Sequence, residues 1–160
     1  MTIREKSEVE IVRATKYQAD SLTRIAFDSK RHWGYPERWI QIWSPTLTVS
    51  EEFIERHDTY IAYVKGKLVG FYAISIKSDK ASLDHFWVLP EYMGQGIGAS
   101  LFNHAYSRCK ELGAQILEIE SDPNAQGFYE HMGARKVGEL VGEVDGQPRI
   151  LPVLEIKLTK

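Results

Sequence analysis

Residues 88–99 join a predicted strand to the strongest helical pattern in the chain, and they read Val88-Leu89-Pro90-Glu91-Tyr92-Met93-Gly94-Gln95-Gly96-Ile97-Gly98-Ala99. Glycine has no side chain, so glycines at a turn let the main chain approach a ligand closely. The first N–H groups of a helix lack partners within the helix and carry partial positive charge. The segment therefore predicts a main-chain cradle for a diphosphate.

Other interpretations of this segment are weaker. A turn that merely connects a strand to a helix needs fewer glycines than the three at positions 94–98. The pattern Gly94-x-Gly96-x-x-Ala99 also fits a dinucleotide-binding fingerprint, with Glu118 and Glu120 near the expected acidic position. A dinucleotide fold would place this turn after its first strand, whereas several predicted strands come before it here. A phosphate-binding P-loop is excluded because no Gly-Lys-Ser/Thr follows.

Hydrophobic periodicity and turn residues predict the elements around this segment. The predicted strands are 9–14, 59–65, 68–76, 81–88, 115–120, 136–144 and 150–158, and the predicted helices are 16–30, 36–43, 50–57, 98–112 and 125–132. Turns are predicted at residues 65–67, 78–80 and 145–146. This order predicts the α/β (α+β) class, with a mixed, mostly antiparallel central sheet of about seven strands and helices on both faces.

The totals favour one domain over residues 1–160, since a chain of 160 residues suits a single core. A formal net charge of −2 gives no general attraction to nucleic acid or to an anionic membrane. No apolar run reaches the roughly 20 residues of a membrane helix. The single cysteine, Cys109, excludes an internal disulfide, and its place on an apolar helical stripe makes it a core residue. We expect a cytoplasmic protein without a metal and without a nucleic-acid or membrane partner.

A second motif lies at residues 121–134, directly after a predicted strand. Asn124 is placed to cap a short helix, and Gly133 is placed to end it. Phe128 and Tyr129 lie on this helix.

Taken together, the two motifs resemble the GNAT (GCN5-related) N-acetyltransferases. The glycine motif of that family, Gln/Arg-x-x-Gly-x-Gly/Ala, falls on residues 93–98, with Met93 in place of the first residue. The predicted order of strands and helices also agrees with the family along essentially the whole chain. The family's later motif, an Asn followed by Ala and then Tyr-x-x-x-Gly, matches Asn124, Ala125, Tyr129 and Gly133.

The resemblance implies an enzyme that moves an acetyl group from acetyl-CoA to an amine. It implies that the strand through Trp87 and Val88 separates from the strand at 115–120, and that the pantetheine arm pairs with the first of these. A main-chain N–H near Val88 would then polarise the thioester carbonyl. The implied cofactor-binding residues are Trp87, Val88, Met93, Gly94, Gln95, Gly96, Ile97, Gly98, Ala99, Asn124 and Tyr129.

A base is expected, because an amine with a pKa of about 10.4 must lose a proton before it attacks. Strand alternation places Asp84 on the same face as Phe86 and Val88, the face on which many relatives carry the base. Asp84 is therefore the first candidate, Glu120 the second and His85 the third. The alternatives are a buried structural carboxylate at Asp84 and a solvated one at Glu120.

A general acid is also expected, since the departing thiolate needs a proton. The resemblance implies that Tyr129 supplies it. The alternative is a packed aromatic residue on a short helix.

Aromatic side chains are concentrated between the first two predicted helices. The candidate acceptor-binding residues are His32, Trp33, Tyr35 and Trp39, with Trp43 nearby and Arg149 as a further candidate from the last strand. The aromatic residues either line a site for a ligand or form a small hydrophobic core between the two helices. The expected acceptor is a small-molecule primary amine. Alternatives are a protein N-terminus or lysine as acceptor, a CoA-binding sensor without catalysis, and a nucleotide oxidoreductase. A homodimer through edge strands is left open.

Overall fold

The structure is a computed structural model that describes residues 8–158, so residues 1–7 and 159–160 of the predicted domain lie outside it. The strands in this range are β1 (Val9–Arg13), β2 (Asp58–Val64), β3 (Lys67–Lys77), β4 (Lys80–Val88), β5 (Ile116–Glu120), β6 (Arg135–Val144) and β7 (Gln147–Lys157). Within the described residues they form one seven-stranded sheet in the order β1-β2-β3-β4-β5-β7-β6. Neighbouring strands are antiparallel except β4 and β5, which are parallel. The predicted mixed, mostly antiparallel sheet is confirmed.

The α-helices of residues 8–158 are α1 (Ala19–Arg31), α2 (Glu37–Ile42), α3 (Ser44–Leu47), α4 (Glu51–Arg56), α5 (Ile97–Glu111) and α6 (Gln126–His131). All except α3 agree with the predictions to within a few residues. A helix of four residues is too short for its hydrophobic period to be recognised. Ser50 caps α4 as predicted, and its Oγ accepts a hydrogen bond of 3.0 Å from the N–H of Phe53.

Two-residue turns connect the hairpins β2–β3 and β6–β7. Lys65 and Gly66 have φ values of 50° and 77°, and Asp145 and Gly146 have φ values of 51° and 75°. Positive φ at both central residues is the geometry that matches the right-handed twist of the paired strands. The turns therefore fix the register of both hairpins, and they confirm the turns predicted at 65–67 and 145–146.

Helices cover both faces of the sheet, as predicted. On one face, α5 buries Leu101, Phe102 and Cys109 in a core shared with α6. On the other face, α1 to α4 bury a second core around Leu22 and Ile40. Burial raises the pKa of the Cys109 thiol to about 12, so this thiol stays protonated, and the prediction of a core residue is confirmed.

Strands β4 and β5 pair at one end only. Their pairs are Lys80 with Ile116, Ala81 with Leu117, and Ser82 with Glu118. Beyond these, β4 continues to Val88 and β5 to Glu120, and no further pair joins the two strands in the described chain. The implied separation of these strands is confirmed, and it opens the centre of the sheet.

A β-bulge in β4 changes the direction of one side chain. The register between β3 and β4 shifts after Leu83 and skips Asp84. Phe86 and Val88 pack toward α5, whereas the Asp84 carboxylate lies 3.8 Å from Nε2 of His57, which follows α4 on the opposite face. The predicted alternation that places Asp84 with Phe86 and Val88 is therefore wrong, because the extra residue of the bulge breaks the two-residue period.

We expect Gly70→Ala to destabilise the fold. An added Cβ at Gly70 would lie 2.6 Å from the main-chain oxygen of Trp87, which is held in the β3–β4 ladder. Overpacking of this kind lowers the free energy of unfolding by about 1–3 kcal/mol. Urea unfolding measures it. Gly127→Ala is the matched control, since a Cβ there meets nothing within 4 Å and alanine favours helix α6. Equal stability of the two variants would contradict the expectation.

Candidate functional site

The separation of β4 from β5 opens into a cleft of about 980 Å³. Its walls come from β4, the start of α5, the segment 119–131, the region from α1 to α3, and the β6–β7 hairpin. Most of the predicted cofactor-binding residues line it: Trp87, Val88, Met93, Gly94, Gly96, Gly98, Ala99, Asn124 and Tyr129. Gln95 and Ile97 do not. The side chain of Ile97 is buried in the core, and that of Gln95 donates to the main-chain oxygen of Glu91 at 3.2 Å.

The glycine segment is bent so that its main chain faces this cleft. Gly94 and Gly96 have φ values of 77° and 82°, and Gly96 is the N-cap of α5. Other residues adopt this left-handed region only with strain. A Cβ at either position would meet nothing within 4 Å, so glycine leaves open space along the cleft wall. Gly98 instead packs closely, since a Cβ there would lie 3.2 Å from the ring of Phe128.

The start of α5 fits the diphosphate of CoA. The N–H groups of Ile97, Gly98 and Ala99 belong to the first turn, in which no intrahelical acceptor is available. The helix runs for 15 residues, and its dipole adds about 0.3–2 kcal/mol for an anion at this end. Hydrogen bonds from several N–H groups to charged oxygens would contribute the larger part.

The main chain at the end of β4 also faces the cleft. The N–H of Leu89 donates to the main-chain oxygen of Val69 at 2.8 Å, so this N–H points toward β3. Because the direction of main-chain groups alternates along a strand, the N–H and C=O of Val88 point away from β3 and toward the separation. The oxygen of Val88 accepts a hydrogen bond of 3.2 Å from Oγ of Ser29, which leaves the adjoining N–H as a donor at the cleft.

Tyr129 lies at the wall of the cleft, in an aromatic cluster. Its ring centroid is 5.9 Å from that of Phe86, 5.9 Å from that of Phe102 and 5.4 Å from that of Phe128. The residue is 6% exposed. Burial raises the pKa of the phenol, and the nearby charge of Asp122 raises it further. Tyr129 is therefore protonated at neutral pH and has a proton to give.

Asp84 and Glu120 lie on the two strands that separate. Both line the cleft, and both line a smaller adjoining cavity of about 200 Å³. Burial raises the pKa of Asp84, although a hydrogen bond with Ser75 and the charge of His57 oppose the change. A carboxyl group whose pKa is raised accepts a proton more readily than an ordinary one.

His85, which follows Asp84 on β4, is buried and is neutral at pH 7. Burial is the main cause that lowers its pKa, to about 4, and the charge of His57 lowers it further. Its Nδ1 accepts a hydrogen bond of 2.9 Å from Nε1 of Trp87. We therefore assign the ring proton to Nε2, and this bond fixes the orientation of Trp87 at the cleft.

A network around Asp122 was not foreseen from the sequence. The Asp122 carboxylate lies 2.6 Å from Nζ of Lys30, 3.2 Å from a guanidinium nitrogen of Arg149 and 3.0 Å from the hydroxyl of Tyr35. Asn124 joins through its main-chain N–H, at 2.8 Å, and its side-chain amide. Arg149 was only a further candidate, and Lys30 and Asp122 were not candidates. Their positions are far apart in sequence, so no local pattern links them.

The aromatic candidates divide between the two alternatives left open by the sequence. Trp33 lines the cleft, together with Trp43, whereas His32, Tyr35 and Trp39 do not. Tyr35, Trp39 and Trp43 pack against one another with ring centroids 5.0–5.9 Å apart, as a small core does. The region is therefore both a core between helices and, through Trp33 and Trp43, a wall of the cleft.

Known proteins resemble this chain in sequence and in fold. The acetyltransferase (GNAT) domain model matches residues 13–149. A proposed ribosomal protein bS18-alanine N-acetyltransferase of Bacillus subtilis is 38% identical over 76 residues, which make up 46% of this chain and 50% of that protein. An uncharacterised N-acetyltransferase of Methanocaldococcus jannaschii is 31% identical over 84 residues, 46% of this chain and 37% of that protein. The chain thus spans about half or less of the length of the curated relatives it matches.

Solved structures share the fold along nearly the whole chain. The PaiA N-acetyltransferase of Thermoplasma acidophilum, solved with coenzyme A, has a TM-score of 0.75 at 22% identity and covers 94% of this chain and 99% of its own. The ribosomal-protein-S18-alanine N-acetyltransferase of Escherichia coli has a TM-score of 0.71 at 19% identity, with 96% of each chain covered. The split sheet and glycine turn place the chain in the class of acetyltransferase folds. The chain belongs to the GNAT acetyltransferase family.

We expect Ala99→Glu to weaken binding of coenzyme A by about tenfold or more, because a carboxylate in the first turn competes for the same N–H groups and repels the diphosphate. Acidic residues are favourable at a helix start, so the fold is retained. Ala99→Gln has the same size without the charge and should bind more tightly than Ala99→Glu. Isothermal titration with coenzyme A measures both. Wild-type affinity in Ala99→Glu would mean that the diphosphate binds elsewhere.

Proposed function

We propose that this protein is an acetyl-CoA-dependent N-acetyltransferase that acetylates a primary amine of a small molecule. The observation that carries the proposal is that the glycine turn at the start of α5 and the phenol of Tyr129 line one cleft, at the separation of β4 from β5. When bound there, acetyl-CoA supplies an acetyl group activated as a thioester. The same cleft leaves room for an acceptor beside α1, α3 and the β6–β7 hairpin.

Binding is assigned to main-chain groups first. The N–H groups of residues 97–99 hold the diphosphate, and the edge of β4 freed by the separation pairs with the pantetheine arm. Asn124 contacts that arm, although its amide also donates to Tyr35 at 3.0 Å. The N–H of Val88 stabilises negative charge on the carbonyl oxygen as the amine attacks.

Proton transfer is assigned to side chains at the separation. Asp84 is the first candidate for the base that accepts the proton of the amine, and Glu120 is the second. His85, the third, is weakly basic because of its burial, and we assign it to positioning Trp87. Tyr129, buried and protonated, gives its proton to the departing thiolate.

A small acceptor is favoured by the way the cleft is bounded. Lys30 of α1 and Arg149 of β7 are joined through Asp122. These contacts connect α1 to β7 within the cleft and restrict an extended peptide. A protein N-terminus is the second candidate acceptor, because relatives named for ribosomal-protein alanine acetylation are similar in sequence or fold.

Three further predictions accompany the proposal. Residues 1–160 are taken as one N-acetyltransferase domain with a cytoplasmic location. Within residues 8–158 no helix is long and apolar enough to cross a membrane. A homodimer stays a prediction, with β6 as the edge strand on which Leu140 and Val141 are exposed.

We expect the protein to release free thiol from acetyl-CoA in the presence of small primary amines, and to do so faster than with peptides. Tyr129→Phe should lower kcat by about 10²–10⁴-fold, because the thiolate then lacks its acid, while the affinity for coenzyme A is kept. A thiol assay over polyamines, amino acids, aminoglycosides and peptides measures turnover. Unchanged kcat in Tyr129→Phe would remove the acid role, and no release with any acceptor would favour a CoA-binding sensor.

We expect kcat/KM to fall as the pH is lowered through the raised pKa of Asp84, because a base must be deprotonated to act. Asp84→Asn should lower kcat/KM at neutral pH by about 10²-fold or more and abolish this acidic limb. The pH profile of thiol release measures both effects, with Glu120→Gln as the matched variant on the other strand. If only Glu120→Gln removes the limb, Glu120 is the base.

A further inference from the structure

The acceptor end of the cleft is the part lined by α1, α3 and the β6–β7 hairpin. Its buried network of Lys30, Asp122 and Arg149 holds more positive than negative charge. Lys30 and Arg149 share the single carboxylate of Asp122, and the exposed fractions of these side chains are 11%, 15% and 11%. All three residues line the cleft. Glu143 lines it too, but Glu143 is exposed, and within residues 8–158 no ion pair joins it to either cation. Within the network of Lys30, Asp122 and Arg149, one positive charge is therefore left without a counter-charge.

Aromatic rings hold both cations in place. Nζ of Lys30 lies 4.4 Å from the ring centroid of Trp43, and the guanidinium carbon of Arg149 lies 4.9 Å from it. The hydroxyl of Tyr35 accepts a hydrogen bond of 3.0 Å from Arg149. These contacts fix the two side chains without neutralising them. Burial, the largest cause, and the charge of Arg149 together lower the pKa of Lys30 despite the opposing contacts with Asp122, so an added anion would be favourable.

From this arrangement we propose that Lys30 and Arg149 bind a carboxylate group of the acceptor, so that the substrate class is amines that also carry a carboxylate, as amino acids do. The proposal rests on the acetyltransferase function proposed above. A guanidinium binds a planar carboxylate through two parallel hydrogen bonds, and the ammonium of Lys30 adds a point charge. The ammonium of such an acceptor faces the acidic residues Asp84 and Glu120 of the same cleft.

The charge balance selects a carboxylate over a phosphate. A dianion would meet Asp122 beside the two cations and be repelled, whereas a monoanion matches the excess of one positive charge. The phosphates of CoA are assigned to the start of α5, on a different wall of the cleft. Affinity for coenzyme A therefore serves as an independent readout of whether the two cations belong to the cofactor or to the acceptor.

The test compares matched acceptors with the wild-type protein. Each amino acid in a panel is assayed by thiol release beside its amide and its decarboxylated amine, for example phenylalanine, phenylalaninamide and phenethylamine. We expect kcat/KM to be higher by about tenfold or more for the carboxylate form of the best acceptor, as one charge-assisted contact predicts. Equal or better use of the amines that lack a carboxylate overturns this inference and leaves the acetyltransferase proposal standing. No release with any amine overturns both.

Variants then identify the residues responsible. Lys30→Met and Arg149→Gln should raise KM for the carboxylate form by about tenfold or more and leave KM for the decarboxylated amine unchanged. Arg149→Lys, which keeps the charge, should restore part of the loss. Arg24→Gln on the exposed side of α1 is the control. If the two residues had a purely structural role, their variants would have a lower melting temperature and reduced turnover with all acceptors alike. If the variants lost affinity for coenzyme A, the two cations would belong to the cofactor site. Either result overturns the inference.

Discussion

The separation of β4 from β5 is the constraint on which the candidate site depends. Parallel strands that pair at Lys80 to Ser82 and then diverge leave main-chain groups of β4 without a neighbouring strand. Unpaired N–H and C=O groups are costly to bury unless something else bonds to them. The start of α5, the segment after β5 and the end of α1 that carries Lys30 all border this opening. A ligand that supplies hydrogen-bonding groups along its length is what such an opening accommodates.

The Asp122 network explains how the acceptor end of the cleft keeps its shape. Buried charges are tolerated only when they are paired and hydrogen-bonded. Asp122 meets this condition with Lys30 from α1, Arg149 from β7, and the hydroxyl of Tyr35. Removing Asp122 would leave two buried cations without a counter-charge, whereas removing one cation would leave a balanced pair. The network therefore joins three distant parts of the chain beside Asn124. Through Asn124 it connects the acceptor end of the cleft to the segment that carries Tyr129.

Predictions from local pattern succeeded where local physics decides the structure. The hairpin turns at Lys65-Gly66 and Asp145-Gly146 follow from the residues that tolerate positive φ. The same reasoning located the glycine turn before α5 and the cap of α4 at Ser50. The predicted face of Asp84 was wrong because the bulge depends on how β4 pairs with β3. The alternation of residues within β4 does not reveal that pairing.

The sequence by itself determined the order of the elements, the helix start that offers free N–H groups, and the family to which the motifs belong. Each of these depends on residues close together in the chain, whose propensities and spacing act locally. The tertiary structure alone decided that Lys30, Asp122 and Arg149 meet, and that Asp84 turns toward His57. Such contacts join residues far apart in sequence, and they form because buried charges require partners that only the folded chain brings together.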